Sequence, residues 1–253
     1  MTPPAILSGQ TALVTGASSG IGRFAAGLLA RHGARVALLA RRRTPLEAAV
    51  QEIERCGGTA RSYQLDLTRP SDIDSAIGRV WNDLGPISIL INNAGIYLLK
   101  DALSASAEDL DRLHAVNVRG AFLVAQSVGR RMIEGRVPGR IVNLGSIAGL
   151  RPMPALGVYG MSKAAVIHMT KVMAREWGRH DINVCALSPG YIHTAMTSAD
   201  FESEGGRKLV ERLPRRRVGK VEDLAAALLF LVDPTARLIN GAVVPVDDGL
   251  SIG

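Results

Sequence analysis

The chain has few cysteines. Of its 253 residues only Cys56 and Cys185 are cysteine, and neither belongs to a C-x-x-C pair, so a disulfide framework or a thiolate metal centre is not expected. Cys185 lies in the apolar run Val184-Cys185-Ala186-Leu187 and reads as an ordinary buried thiol. Aromatic residues are sparse as well, at 4%. No uninterrupted apolar run approaches the ~18 residues that a transmembrane helix needs. The opening residues, Met1-Thr2-Pro3-Pro4-Ala5, have neither the basic region nor the long apolar core of a secretory signal. A soluble cytoplasmic protein with no membrane partner is expected.

What the chain does carry is an excess of positive charge, +7 formally, with a pI near 9.9. This excess sits in short clusters, Arg41-Arg42-Arg43, Arg130-Arg131 and Arg215-Arg216-Arg217. They lack the interleaved aromatics of a nucleic-acid stacking platform. Nucleic acid is therefore not an expected partner, and a cationic surface or sites for cofactor phosphates fit better. Apolar residues at 47% and charged residues at 21% describe an ordinary globular chain, of a length that suits one domain.

Short apolar runs alternate with longer helical stretches from end to end. Strands are expected at 11–15, 35–39, 61–65, 88–91, 140–144, 183–187 and 242–246. Helices are expected near 20–32, 45–56, 71–84, 107–133, 158–178 and 221–232. This alternation predicts an α/β fold, a doubly wound, seven-stranded parallel sheet with helices on both faces in a single domain. Residues 191–217 break the rhythm and are read as a long irregular substrate loop.

The first strand runs into Thr15-Gly16-Ala17-Ser18-Ser19-Gly20-Ile21-Gly22. Glycines allow positive φ and close backbone approach there. The helix that follows offers free N–H groups and a positive dipole end to a pyrophosphate. A Gly-rich turn can also be only a tight connection, but between an opening strand and a helix it has the context of a dinucleotide site.

Further on, Tyr159-Gly160-Met161-Ser162-Lys163 places a phenol and an ammonium at i and i+4. On a helix they share one face, ~6 Å apart. An ammonium beside a phenol favours the phenolate and lowers its pKa, which makes the pair a tunable acid/base group. Such a pair also arises by chance on amphipathic helices.

These motifs together resemble the short-chain dehydrogenases/reductases in their compact single-domain form. The pattern is Thr-Gly-x-x-x-Gly-x-Gly, then Asn92-Asn93-Ala94-Gly95, Asn117, Ser146, Tyr159-x-x-x-Lys163, and Pro189-Gly190 with Thr194 following. The likeness covers about residues 7–249. It implies that Gly16, Ser18, Ser19, Gly20, Ile21 and Gly22 cradle a nicotinamide dinucleotide, with Asn93, Gly95, Pro189, Gly190, Ile192 and Thr194 also touching it. Asp66 would accept from the adenine amino group and Leu67 would line its ring, although Asp66 could instead be a turn or cap acid. Asn93 could touch the ribose or stitch neighbouring strands.

By the same resemblance Tyr159 exchanges a proton with the substrate oxygen, and Ser146 hydrogen-bonds that oxygen. Lys163 depresses the Tyr159 pKa and binds the nicotinamide ribose, and Asn117 holds a water near the lysine. Ser146 could instead cap its turn, and Asn117 could satisfy backbone groups inside a long helix. Ala40 stands where NAD-preferring members carry Asp, and Arg41 beside it could pair with a 2′-phosphate. NADP is thus expected over NAD, although Ser19 is not the basic residue that some NADP-preferring relatives carry.

The expected substrate is a small carbonyl compound or secondary alcohol. Its wall is expected around Ile96-Tyr97, 148–156, Tyr191-Ile192 and the loop to Arg217. Met153, Leu156, Tyr191, Ile192, Met196 and Phe201 would give an apolar lining. Arg207, Lys208 and Arg215–Arg217 could receive an acidic group or be a solvated face. The family commonly has glycine where Asp248 stands. The apolar faces of the two long helices and the last strand exceed what one subunit would cover, and by the same resemblance they build a homotetramer, or at least a homodimer. The alternative reading is a non-catalytic nucleotide-sensing or scaffolding protein of the same fold.

Overall fold

The computed structural model describes residues 5–252, so nearly all of the opening stretch inspected for a signal lies outside the described residues. Seven parallel strands form one sheet: β1 (Thr11–Thr15), β2 (Arg35–Ala40), β3 (Thr59–Gln64), β4 (Ile87–Asn92), β5 (Gly139–Leu144), β6 (Ile182–Pro189) and β7 (Val243–Val246). Their order is β3-β2-β1-β4-β5-β6-β7. The direction of winding reverses between β1 and β4, which opens a crevice at the carboxyl ends of the strands. The whole chain is built on this one sheet, as the alternation of elements predicts.

The strands are apolar because helices cover both faces. Along β1, Ala12 and Val14 face one layer and Leu13 the other. The first layer holds α1 (Gly20–Arg31), α2 (Arg43–Arg55) and α9 (Ala225–Val232), whose Leu28, Leu29, Leu46, Leu228 and Leu231 bury against Val36 and Leu38. The second holds α3 (Pro70–Leu84), α5 (Ala121–Glu134) and α6 (Gly157–Trp177), with Ile77, Val80, Val124, Val128, Val166 and Met173 against Leu39 and Leu90. Pro70 starts α3 where its missing N–H costs nothing. Among the described residues no helix is long and apolar enough to cross a membrane.

Two expectations need correction. The helix expected over 107–133 is not continuous. It comprises α4 (Ala107–Leu113), a π-helical segment (His114–Gly120) and then α5. The stretch expected to be irregular over 191–217 contains two short helices, α7 (Ser198–Glu202) and α8 (Glu204–Glu211). Ser203 caps α8 by accepting from the Gly206 N–H at 3.0 Å. The remaining boundaries shift by a few residues, as helix and strand ends commonly do.

A buried polar chain ties the centre of the sheet to its helices. The Asn92 side-chain amide donates to Asn143 Oδ1 at 3.0 Å and to the Ala121 carbonyl at 2.8 Å. Asn143 in turn donates to Thr170 Oγ1 at 3.0 Å, and Thr170 donates to the Val166 carbonyl at 2.8 Å. All three side chains are buried, so each bond made replaces water that cannot enter. Asn143→Ala leaves one amide hydrogen of Asn92 without its acceptor and the Thr170 hydroxyl oxygen without its donor, and we expect a loss of ~1–3 kcal/mol. Urea unfolding followed by circular dichroism measures this, and an unchanged midpoint would show the network to be dispensable.

Candidate active site

A cleft of about 850 Å³ runs along the carboxyl ends of the strands. At one end lie Arg41, Arg42, Asp66 and Leu67; in the middle lies the turn from Gly16 to Ile21; at the other end stand Ser146, Tyr159 and Lys163. Asn93, Gly95, Pro189, Gly190, Ile192 and Thr194 also line it. Of the expected site residues only Gly22 and Asn117 do not line the cleft, and both support residues that do.

The Gly-rich turn is shaped by contact. Gly16 and Gly20 have φ of +67° and +55°, the left-handed region that favours glycine. A Cβ on Gly22 would lie 2.4 Å from the Gly16 carbonyl oxygen and 2.5 Å from Asn93 Nδ2. Gly22 therefore lets α1 seat tightly against its own turn. Ser19, the residue before α1, makes no side-chain cap, and the first turn of α1 has no acidic residue. The free N–H groups and dipole of α1 thus keep their capacity for an anion, and the crevice fits the pyrophosphate of a dinucleotide.

Several expected contact residues also have structural duties. Asn93 donates from its side chain to the Thr15 carbonyl at 2.9 Å, and its main-chain N–H donates to Thr15 Oγ1 at 3.0 Å, so it stitches β4 to β1. Asp66 accepts from the N–H and hydroxyl of Thr68 at 2.9 and 2.8 Å, closing a turn. Burial opposes ionisation of this carboxyl, yet the Thr68 bonds and the Arg41 charge hold its pKa below the usual value. Thr194 reaches over the turn, its methyl 3.4 Å from where a Cβ of Gly20 would be.

Arg41 is exposed, and its main-chain carbonyl accepts from the Gln64 side chain at 2.9 Å. Its neighbour Arg42 donates to the hydroxyls of Ser18 and Ser19 at 3.2 and 3.0 Å. The sequence reading singled out Arg41 and missed Arg42, because three consecutive arginines on a turn carry no periodicity that says which one folds back.

At the far end, β5 stops at Leu144 and α6 returns alongside it. Ser146 precedes a short 3₁₀ turn (Ile147–Gly149) and its hydroxyl accepts from the Ala148 N–H at 3.1 Å, so it does cap its turn. The same hydroxyl is near enough to the Tyr159 phenol to favour its ionised form. Lys163 is 6% exposed. Its Nζ donates to the Leu144 carbonyl at 2.7 Å and lies 5.8 Å from the centre of the Tyr159 ring. The Tyr97 ring meets Tyr159 edge-on at 5.3 Å.

The electrostatics differ from the expectation for an isolated pair. Burial pushes the Tyr159 phenol up to about 12, against which the Ser146 hydroxyl pulls down. Burial also pulls Lys163 down to about 8. With a hydrogen bond donated to Leu144, the ammonium does not outweigh the desolvation of a phenolate. At neutral pH both groups are protonated.

Asn117 sits in the π-helical segment and is 1% exposed. Its Oδ1 accepts from the Ile96 N–H at 2.8 Å, and its Nδ2 donates to the Ile96 carbonyl at 2.9 Å and to Ser162 Oγ at 3.0 Å. The side chain therefore satisfies backbone groups and clamps the segment after Gly95. A Cβ on Gly95 would lie 3.2 Å from Asn117 Oδ1 and 3.6 Å from Lys163 Nζ, which shows how closely the three converge.

The lid formed by α7 and α8 covers the substrate side. Tyr191, Met196, Asp200, Phe201 and Leu209 line the cleft with Met153 and Leu156. Tyr191 and Phe201 meet edge-on at 5.7 Å. Asp200 was not anticipated, since no motif surrounds it. The loop cations face elsewhere. Lys208 pairs with Glu204 at 2.6 Å, Arg215 with Asp248 at 3.5 Å, and Arg217 with Asp248 at 3.3 Å and Asp223 at 3.1 Å. Asp248, at φ +55°, takes a backbone conformation that glycine adopts freely, and its carboxylate anchors the end of the lid. Among the described residues no cluster of His, Cys, Asp or Glu could hold a metal ion.

A parallel sheet wound about a dinucleotide crevice, with a tyrosine and lysine at its open end, defines the class of nicotinamide-type oxidoreductases. A family model described as enoyl-(acyl carrier protein) reductase matches residues 16–251. Gluconate 5-dehydrogenase of Gluconobacter oxydans (strain 621H) is 40% identical over 249 residues, 97% of this chain and 96% of that one. NAD-dependent glycerol dehydrogenase of Listeria innocua is 35% identical over 248 residues, 97% and 95% of the two chains. The crystal structure of a gluconate 5-dehydrogenase from Burkholderia cenocepacia J2315, in complex with NADP and tartrate, superposes with a TM-score of 0.93 at 31% identity, covering 98% of this chain and 97% of that one. The chain belongs to the short-chain dehydrogenase/reductase family.

Gly22→Ala forces either the Gly16 carbonyl or the Asn93 amide to move. We expect dinucleotide affinity to fall roughly tenfold or more, ~1.4 kcal/mol. Fluorescence titration with NADPH checks this, and unchanged affinity would show that the turn's shape is not what holds the cofactor.

Proposed function

We propose that the protein transfers hydride between NADP(H) and a carbonyl compound or its secondary alcohol, with Tyr159 exchanging the proton. The observation that carries this reading is the convergence of Ser146, Tyr159 and Lys163 at one end of a cleft whose other end is basic. The bound nicotinamide supplies or accepts the hydride. The chain's own residues position the substrate and manage the proton.

In reduction, Ser146 and Tyr159 hydrogen-bond the substrate oxygen, on which negative charge grows as the hydride arrives. Tyr159 Oη then gives that oxygen its proton. A phenol raised to about 12 stays protonated at neutral pH, which suits the donor role. The positive charge of Lys163, kept below about pH 8, then favours the phenolate left behind. Nζ also lies near Gly95, where it can reach the nicotinamide ribose. Both amide hydrogens of Asn117 are engaged, so we assign its side chain the positioning of the Ile96 segment, and a water held for the lysine would rest on its main chain or on the second lone pair of Oδ1. Residues 191–217 close over the substrate.

For NADP over NAD, the support is the absence of a carboxylate at Ala40 and the two guanidinium groups of Arg41 and Arg42 at that end of the cleft. Arg42, resting on Ser18 and Ser19, supplies from the second strand the cation that the turn itself lacks. A homotetramer is supported by the groove between α5 and α6, where Phe122 and Val172 are exposed beside Met169 and Trp177.

Tyr159→Phe should lower kcat about 10²–10⁴-fold while cofactor affinity stays nearly intact. NADPH oxidation followed by absorbance over a panel of ketones measures it, and retained turnover would remove Tyr159 from the chemistry. Arg41→Asp should shift the NADP/NAD ratio of kcat/KM toward NAD by roughly tenfold or more, the scale of one charge-assisted contact. An unchanged ratio would leave Arg42 as the phosphate-binding group.

A further inference from the structure

The substrate half of the cleft has an uneven charge distribution. Its walls are largely apolar or aromatic, with Met153, Leu156, Tyr191, Met196, Phe201 and Leu209. Among the described residues that line the cleft, the cations are Arg41, Arg42 and Lys163. The first two stand at the nucleotide end, and the third, beside Tyr159, donates a hydrogen bond to the Leu144 carbonyl.

Four basic residues of the lid are committed elsewhere, Lys208 to Glu204, Arg215 and Arg217 to Asp248, and Arg207 to the Glu202 carbonyl at 2.7 Å, and Arg212 and Arg216 do not line the cleft. Arg151, near enough to act on the Tyr191 phenol, donates to the Leu250 carbonyl and does not line the cleft. The one carboxylate that does face the substrate side is Asp200, beside Tyr97. Tyr97 in turn stacks edge-on against Tyr159.

A carboxylate or phosphate on the substrate body would leave water for a largely apolar wall, find no cation there but Lys163 at the reacting end, and meet Asp200. An ion buried without a partner loses its hydration with nothing to offset the loss. A neutral ketone avoids this, and a hydroxyl on it can donate to Asp200. We propose that this cleft selects uncharged ketones with a largely apolar body and rejects anionic ones, sugar acids and acyl carriers' phosphate arms included. The inference rests on the hydride-transfer reading above and specifies its substrate class.

The test uses matched substrates, acetoacetate and ethyl acetoacetate, with NADPH and the full-length protein. The ester should exceed the acid in kcat/KM roughly tenfold or more. Asp200→Asn should narrow that gap severalfold by improving the acid. Equal or better turnover of the acid, still lost in Tyr159→Phe, overturns the substrate class and leaves hydride transfer standing. Turnover of the ester that survives Tyr159→Phe overturns the role of Tyr159 and leaves the charge selection standing. Failure of both compounds with either cofactor overturns both.

Discussion

An ammonium withdrawn from water and held by a single carbonyl organises the open end of this molecule. Lys163 reaches from α6 to Leu144, the last residue of β5, and so fixes helix against strand where the chain reverses. The turn between them must come very close to α6. A Cβ on Gly149 would lie 2.7 Å from the Lys163 carbonyl carbon, and one on Gly160 2.6 Å from the Ala148 oxygen. These two glycines let the 3₁₀ turn rest directly on the helix. Ser146 then arrives at the Tyr159 phenol without any long side chain having to bridge the distance.

The opposite end of the cleft is built on a different principle. There the backbone does the positioning, through a positive-φ turn and an uncapped helix start, and side chains mainly adjust charge. Asn93 holds β4 to β1 just where the turn begins, so the mouth of the crevice is as rigid as the sheet itself. Rigid sites at both ends of one cleft fix the span between phosphate-binding and proton-transferring groups, and orientation of reactants depends on that span.

Much of this was legible in the residues. Strand positions followed from short apolar runs, since a strand covered on both faces has little choice of composition, and the Gly-rich turn and the tyrosine–lysine pair appear where they were expected. The π-helical segment was hidden, because Leu113, Asn117, Ala121 and Val124 recur at the spacing of a continuous helical stripe and no residue type marks one extra residue in a turn. The pairing of Arg215 and Arg217 with Asp248 was hidden too, since it depends on how the C-terminal turn folds back. The direction of the Tyr159 shift was misread because local spacing shows a neighbouring charge but not the burial that opposes it.

The π-helical segment has a consequence for how this chain tolerates change in length. Wider winding over His114–Gly120 accommodates one residue more than a regular helix would. Losing a single residue there would let the segment tighten to regular winding while the turns on either side keep their phase, so the change would fall on the segment itself. Asn117 would then swing off Ile96, and the strand-end loop carrying Gly95 would lose its clasp. A deletion in α5 beyond the segment has no widened turn to absorb it and would rotate one side of the helix against the other by about 100°. The interior of an apparently uniform helix thus contains one short stretch where the loss of a residue is absorbed locally, with the Asn117 clasp as what is given up.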